Sequence, residues 1–397
     1  MTKKILFIAH SVTRFDGAAR MACFLANHLS ATYQVDIISK FAPPIDRKDY
    51  AYALQESIKV IALADVIGNQ FEYNIWERAV MKLNRLSGVL DKERFADFCV
   101  RLYSPIRYQK KLIQFINKNG YDLVIGVEGF FSAILGSIAE KINAKTIGWQ
   151  HNSFEAYFEV KDLWFWKQKY YAKTTLGKLN RYVVLNEIDK QKFSDNLKLD
   201  VDYIYNPRSF DSVETSMLES NSFLAVGRFA PEKQFDKLIE AYNKFRQISN
   251  ADWKLHMVGE GAELPIYKNL ITKFHLEQEI IIHPYVQDIK PYYYNASCLL
   301  MTSKFEGFAL VVLEALTMGL PIVAFEIPAY LPALDNSNSI LVKMDDINAL
   351  AAAMKTVAEN SDLRKKLGKG AKEKSERFSP NKIHSEWDEL IDRVLYV

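Results

Sequence analysis

At 397 residues the chain is too long for one hydrophobic core and divides, at about 150 residues per domain, into two or three. With 49% hydrophobic and 25% charged residues, 12 Pro and 16 Gly, it is not disordered, collagenous or coiled-coil, and no run approaches the ~18 apolar residues of a membrane span. The net charge of +3 hides an asymmetry: residues 1–200 hold 29 Lys and Arg against 21 Asp and Glu, the remainder 22 against 27.

The opening MTKKILFIAHSV reads as a buried strand. Arg14, Asp16 and Arg20 follow it without the small-residue cleavage site of a signal peptide. Three cysteines, Cys23, Cys99 and Cys298, cannot build a disulfide framework, so the expected compartment is the cytoplasm. A helix GAARMACFLANHLS and a strand YQVDIIS come next, and FDGAAR joins first strand to first helix, with Gly17 as a candidate for close approach of an acceptor phosphate. A plain turn is the alternative.

Residues 77–118 differ in kind, reading as helical with ten Lys or Arg against four Asp or Glu. Arg101, Arg107, Lys110, Lys111 and Lys118 meet no acidic residue before Asp122. Two readings stand: a solvated face on packing helices, or a surface that docks on anionic membrane or an anionic acceptor. Nucleic acid is set aside for want of a zinc finger, an RNP-type motif or a continuous basic helix.

The strand–helix–strand pattern resumes with YDLVIGVEG, FFSAILGSIAEKIN and AKTIGWQH, and RYVVLN and VDYIYN close the first half. Such runs predict a parallel sheet covered on both faces. Ligands of such sheets sit beyond the carboxyl ends of strands, which singles out Glu128 after one strand and His151 with Asn152 after the next. Asp200-Val201-Asp202 reads as solvent-facing rather than metal-binding. After a linker-like stretch over 206–222 the grammar restarts: SFLAVGR, WKLHMVGEG, EIIIHPYV, SCLLMTS and LPIVAF with helices between. The predicted class is therefore α/β, two doubly wound parallel-sheet units. A last helix lies in NKIHSEWDELIDRVLYV.

The second half carries most of the candidate chemistry. Arg228 and Lys233 follow a strand beside a helix start, a place that already attracts anions, so a polyanion between them is the expected reason for two cations. Gly227, Gly259 and Gly261 permit close backbone approach. In KFEGFALVVLEALTMG, Phe308, Ala309 and Leu310 are read as the first turn of a helix with free N–H groups, preceded by Glu306 and carrying Glu314. An acidic Glu314 there cannot serve a phosphate and suits sugar hydroxyls instead, with two solvated helix carboxylates as the alternative. Serine-hydrolase, P-loop, zincin and dinucleotide-binding motifs are missing from the sequence, and the histidines show no metal-ligand spacing.

AVGRFAPEKQFDKLIEAY, MVGEGAE, HPYVQDIKPYYYNASCLLMTSKFEGFALVVLEALTMGLPIVAF and Asn206-Pro207 together resemble the glycosyltransferase family 4 type of GT-B enzyme, closely over 222–345 and more loosely over the first half. The resemblance implies two Rossmann-like domains around a deep interdomain cleft, residues 1–205 binding the acceptor and 206–380 the donor, with 381–397 a crossover helix returning to the first domain. It implies a retaining transferase that moves a hexose or N-acetylhexosamine from a nucleotide sugar, read as a UDP-sugar, to a glycan or lipid-linked acceptor, in bacterial surface polysaccharide synthesis. No metal or other cofactor is expected. Arg228 and Lys233 would neutralise the diphosphate with help from N–H groups near Ala309 and Leu310. Glu314 would hold the ribose, Glu306 the transferred sugar, and His151 would face that sugar from the first domain. Gly227, Gly259, Phe308 and Val286 complete the donor set, and Gly17, Glu128 and Asn152 the acceptor set. The family's double-Gly loop is here Asp16-Gly17, and its Gly-rich turn after the last strand is replaced by FEIPAYLPALDNSNSILV. A nucleotide-sugar epimerase or hydrolase and a non-catalytic GT-B scaffold are the competing classes. Intact Arg228, Lys233, Glu306 and Glu314 argue against the scaffold.

Overall fold

The computed structural model describes residues 2–12, 16–41, 43, 46–47, 50–68 and 73–396. It divides into two compact units, residues 1–205 with 383–397, and residues 206–382. The first is built on a seven-stranded parallel sheet: β1 (Lys4–Ala9), β2 (Gln34–Ser39), β3 (Lys59–Ala62), β4 (Leu123–Val127), β5 (Lys145–Trp149), β6 (Arg181–Val184) and β7 (Val201–Tyr203), in the order β3-β2-β1-β4-β5-β6-β7. The second holds six parallel strands, β8 (Ser222–Val226), β9 (Lys254–Val258), β10 (Ile280–His283), β11 (Cys298–Met301), β12 (Ile322–Phe325) and β13 (Ser339–Val342), ordered β10-β9-β8-β11-β12-β13.

The central strands are largely apolar because helices cover both faces. All five residues of β4 and all four of β11 and β12 are buried. Each such Leu, Ile or Val contributes about 1.5–3 kcal/mol relative to exposure. This is the predicted α/β, doubly wound class. Both strand orders reverse once, between β1 and β4 and between β8 and β11, and each reversal opens a crevice at the strand ends.

The helix Pro380–Tyr396 ends within the first unit. Its Trp387 is buried edge-on against Trp149 at 4.7 Å, and Asp388 meets His28 at 2.9 Å. Arg181 pairs with Asp200 at 2.8 Å and reaches Asp202 at 3.8 Å, so the Asp-x-Asp pair is tied to an arginine.

The basic stretch is three helices, Ile75–Ser87, Ala96–Tyr103 and Ile106–Asn119, rather than one run. Gly88, left-handed at φ 70°, ends the first, and Pro105 opens the third. Two cations counted towards a docking surface are engaged inside the unit. Arg107 forms a two-pronged ion pair with Glu77 at 2.7 Å, which pulls that carboxylate below its ordinary range, and Lys111 Nζ donates to the Ile67 carbonyl at 2.6 Å. Among the described residues no helix is long and apolar enough to cross a membrane.

Candidate functional site

At the β8/β11 reversal two loops meet, 227–234 after β8 and 302–309 after β11. The first is locked to the turn after β9: Phe229 N–H donates to the Glu260 carbonyl at 2.7 Å, and Glu263 N–H to the Phe229 carbonyl at 3.1 Å. That approach requires Gly259 and Gly261, since a Cβ on either would lie 2.0 Å from the Gly227 carbonyl oxygen or 2.2 Å from that of Phe229. The two loops are also fastened to each other. Lys304 N–H donates to the Glu232 carbonyl, and the Thr302 hydroxyl to the Lys233 carbonyl, both at 2.8 Å.

On this frame Lys233 Nζ contacts Glu306 Oε1 at 2.5 Å, the two side chains 15% and 16% exposed. Residues 73 positions apart are thus brought together across the reversal. Arg228 is not part of that pair. It is 74% exposed and donates to Glu232 at 2.6 Å. Each cation thus has its own carboxylate, Lys233 that of Glu306 and Arg228 that of Glu232.

The helix after β11 runs Leu310–Thr317, so it starts two residues later than predicted. Ala309 is its N-cap with ψ 107°, and Phe308 lies before it, buried against Phe378 at 5.5 Å between rings. Among the described residues no side chain caps this N-terminus and no acidic residue lies in its first turn, while Val312 N–H donates back to the Ala309 carbonyl at 3.0 Å. Glu314, one turn further, is buried and its Oε2 accepts from the Tyr293 hydroxyl at 2.8 Å. Val286 is half-buried in the loop after β10.

Sequence reasoning missed two groups beside Glu306. The Ser303 and Tyr330 hydroxyls are both buried and lie within hydrogen-bonding reach of each other. Burial, and after it the charge of Glu306, pushes the Tyr330 hydroxyl well above its ordinary value. The departure FEIPAYLPAL from the family's turn was the available signal.

In the first unit the β1/β4 reversal is flanked by Asp16-Gly17 and Glu128. Asp16 is the N-cap of the helix Gly17–Leu29, its Oδ1 accepting from Ala19 N–H at 2.7 Å. A carboxylate thus caps the helix N-terminus immediately before Gly17, where a phosphate was expected to approach. Glu128 has φ 68°, a strained conformation for a side-chain-bearing residue. Burial and the nearby Asp16 raise its carboxyl to about 7, against a smaller opposing effect of Lys40. His151, at the end of β5, is held down to about 3 by burial, and its Nε2 has no partner among the described residues. The same is true of Trp149 Nε1 and of both amide atoms of Gln150. Asn152 Oδ1 accepts from Ser153 N–H at 3.0 Å in the turn that follows.

Residues 209–374 match the family model described as glycosyl transferases group 1. The chain is 27% identical over 346 residues to an uncharacterized glycosyltransferase of Haemophilus influenzae, covering 86% of this chain and 93% of that one. It is 26% identical to the amylovoran biosynthesis glycosyltransferase AmsD of Erwinia amylovora over 54% of this chain and 63% of the relative. A TarM variant of S. aureus, solved with fondaparinux, alpha-GlcNAc-glycerol and UDP, superposes with a TM-score of 0.74 at 16% identity over 98% of this chain and 99% of that one. The shared architecture is the two-Rossmann GT-B fold over nearly the whole chain, and the sequence match to glycosyl transferases group 1 falls on its second unit.

Proposed function

We propose that the chain is a retaining, metal-independent glycosyltransferase that moves a hexosyl or N-acetylhexosaminyl group from a UDP-sugar to a glycan or lipid-linked acceptor in bacterial surface polysaccharide synthesis. The observation that carries the donor half is the Lys233–Glu306 pair across the β8/β11 reversal, next to an uncapped helix start. A departing nucleoside diphosphate gains negative charge as the glycosidic bond breaks. Lys233, Arg228 and the N–H groups at Leu310 stabilise that charge, while Glu306, released from Lys233, lies against the sugar as positive charge develops on its ring. Glu314, oriented by Tyr293, takes the ribose hydroxyls. Gly227 and Gly259 allow the donor to approach the backbone, and Val286 with Phe308 borders it.

The acceptor half rests on Glu128 and His151, which burial keeps neutral together in the window from about 3 for His151 up to about 7 for Glu128. Neutral groups exchange hydrogen bonds with sugar hydroxyls without bringing an uncompensated charge. AmsD is named for amylovoran synthesis and the TarM variant was solved with UDP, which supports the choice of donor and pathway class.

Thermal unfolding against UDP-, GDP-, ADP- and CMP-sugars tests the reading. At 100 times its dissociation constant the donor stabilises by about 2.7 kcal/mol, and UDP-sugars should stand alone in doing so. Transfer to an acceptor pool in excess chelator, with the product anomer read by NMR, tests the remaining terms. An inverted product, a chelator-dead enzyme or stabilisation by another base alone would each overturn the corresponding part.

A further inference from the structure

The helix Ile75–Ser87 is amphipathic but turned outward. At 100° per residue Ile75, Leu86, Ala79, Leu83 and Trp76 fall within an arc of about 100°. All five are exposed, Ile75 at 88%, Leu86 at 66%, Trp76 at 59% and Leu83 at 56%. The opposite face is buried: Glu77 and Asn84 lie there, and Val80 and Met81 on either side of them pack against the core. Asn84 is fully buried, donates to the Lys167 carbonyl at 2.9 Å and the Tyr103 hydroxyl at 3.1 Å, and accepts from Leu90 N–H at 2.9 Å. Glu77, in a capping box with Asn74, is held by Arg107. The helix thus meets the core through Val80 and Met81 and leaves its larger apolar side chains in water.

Charge says what covers the stripe. Glu77 is the only acidic residue in the helix and it is buried, whereas Arg78, Lys82 and Arg85 are exposed along one edge of the stripe. Arg85 shares Asp162 at 3.0 Å in an exposed pair. Phe98, edge-on to Trp76 at 6.2 Å, and Val89 extend the apolar surface. A second copy of the same face would bring cations against cations. A sheet of anionic lipid headgroups over acyl chains matches both components, with an aromatic ring at the boundary.

We propose that the Ile75–Ser87 helix docks the protein on anionic membrane, inserting Ile75, Trp76, Leu83 and Leu86 between lipids while Arg78 and Lys82 lie among the headgroups. Because apolar insertion adds to charge, binding is only partly lost in high salt, unlike that of a purely basic surface. The inference is independent of the donor chemistry, so soluble-substrate turnover should not change when docking is removed.

Co-sedimentation of the full chain with vesicles of phosphatidylglycerol and phosphatidylcholine in equal parts is the test. The unmodified chain pellets with these vesicles and more weakly with phosphatidylcholine alone. Leu83→Asp combined with Leu86→Asp lowers binding at least tenfold with an unchanged melting temperature, since both side chains are already in water. Bromine-labelled lipid quenches a tryptophan signal that disappears in Trp76→Phe, which gives a second readout on an unperturbed stripe. A chain that stays in the supernatant at low salt overturns the proposal. So does undiminished binding by the double variant, or a double variant that converts a dimer to a monomer in sedimentation velocity while still binding vesicles.

Discussion

The two sheet reversals solve opposite electrostatic problems with the same topology. At β8/β11 the groups are charged, partly exposed and already neutralised in pairs, Lys233 by Glu306 and Arg228 by Glu232. At β1/β4, and after the neighbouring β5, a carboxyl is pushed up and an imidazole down so that both favour their neutral forms, and Trp149 and Gln150 carry polar atoms without hydrogen-bond partners among the described residues. A charged ligand is met most readily by charges held in water with replaceable partners, because removing a bare ion from water costs far more than exchanging one partner for another. A neutral, hydroxyl-rich ligand needs only hydrogen-bonding groups, and burial keeps these uncharged. One fold thus presents an ionic crevice and a neutral one.

The hardest test of the ionic crevice is Lys233→Ala, which removes the cation and strands Glu306. We expect about 2–4 kcal/mol lost from transition-state stabilisation, or 30- to 1,000-fold in kcat/KM, with Arg228→Ala smaller because that side chain is largely in solvent. Equal, threefold-or-less effects would mean that the pair is structural only. Glu306→Gln should lower kcat by about 10²-fold with donor KM little changed, and Glu314→Gln should mainly raise donor KM. Tyr293→Phe should mimic Glu314→Gln in part, since it frees the same carboxylate. Swapped signatures would exchange the two roles.

The neutral crevice is tested by pH. His151 protonates at about 3 when folded and at 6.5 when unfolded, so the unfolded state binds its proton first as pH falls. Stability is fully present above pH 6.5 and is lost progressively towards pH 3. His151→Gln should remove that loss, a gain of about 2–3 kcal/mol over the parent at pH 4 after allowance for solvent screening. An acid limb identical in parent and variant would show that the imidazole is not held neutral.

How much of this was legible depended on whether a feature is local. The long apolar runs predicted the central strands and the doubly wound class. β3 (KVIA) and β13 (SILV) were not separated from their surroundings, because a four-residue edge strand shows almost no period. The basic stretch reads as helical, and its breaks fall at Gly88 and Pro105, residues that end and open helices by their own backbone chemistry. Strand-end loops located Arg228, Lys233, Glu306, Glu128 and His151, since an α/β sheet binds at those ends whatever else it does. The Lys233–Glu306 pair was illegible because nothing in either segment encodes a contact 73 residues away. The Asp16 cap, by contrast, is legible in the sequence as an aspartate directly before a helix.

The smallest effect, on Glu128, has the opposite sign to that on His151 and sharpens the contrast most. Its carboxyl ionises at about 7 when folded and at 4.5 in the ordinary state, through burial first and the Asp16 charge second. A raised folded value means that stability is greatest below pH 4.5 and falls as pH rises through about 7, where the folded protein must finally ionise a buried group. Glu128→Gln keeps the shape and removes the ionisation. It should therefore melt higher than the parent at pH 8, by about 1–2 kcal/mol once partial exposure is allowed for, with the gap closing below pH 4.5. Combined with His151→Gln, the parent's pH optimum for stability should broaden on both sides, because each variant flattens a different limb. If Glu128→Gln is less stable than the parent at pH 8, the carboxylate is ionised and partnered in the folded chain. The first crevice would then hold charge as the second does, and the distinction between the two would fail.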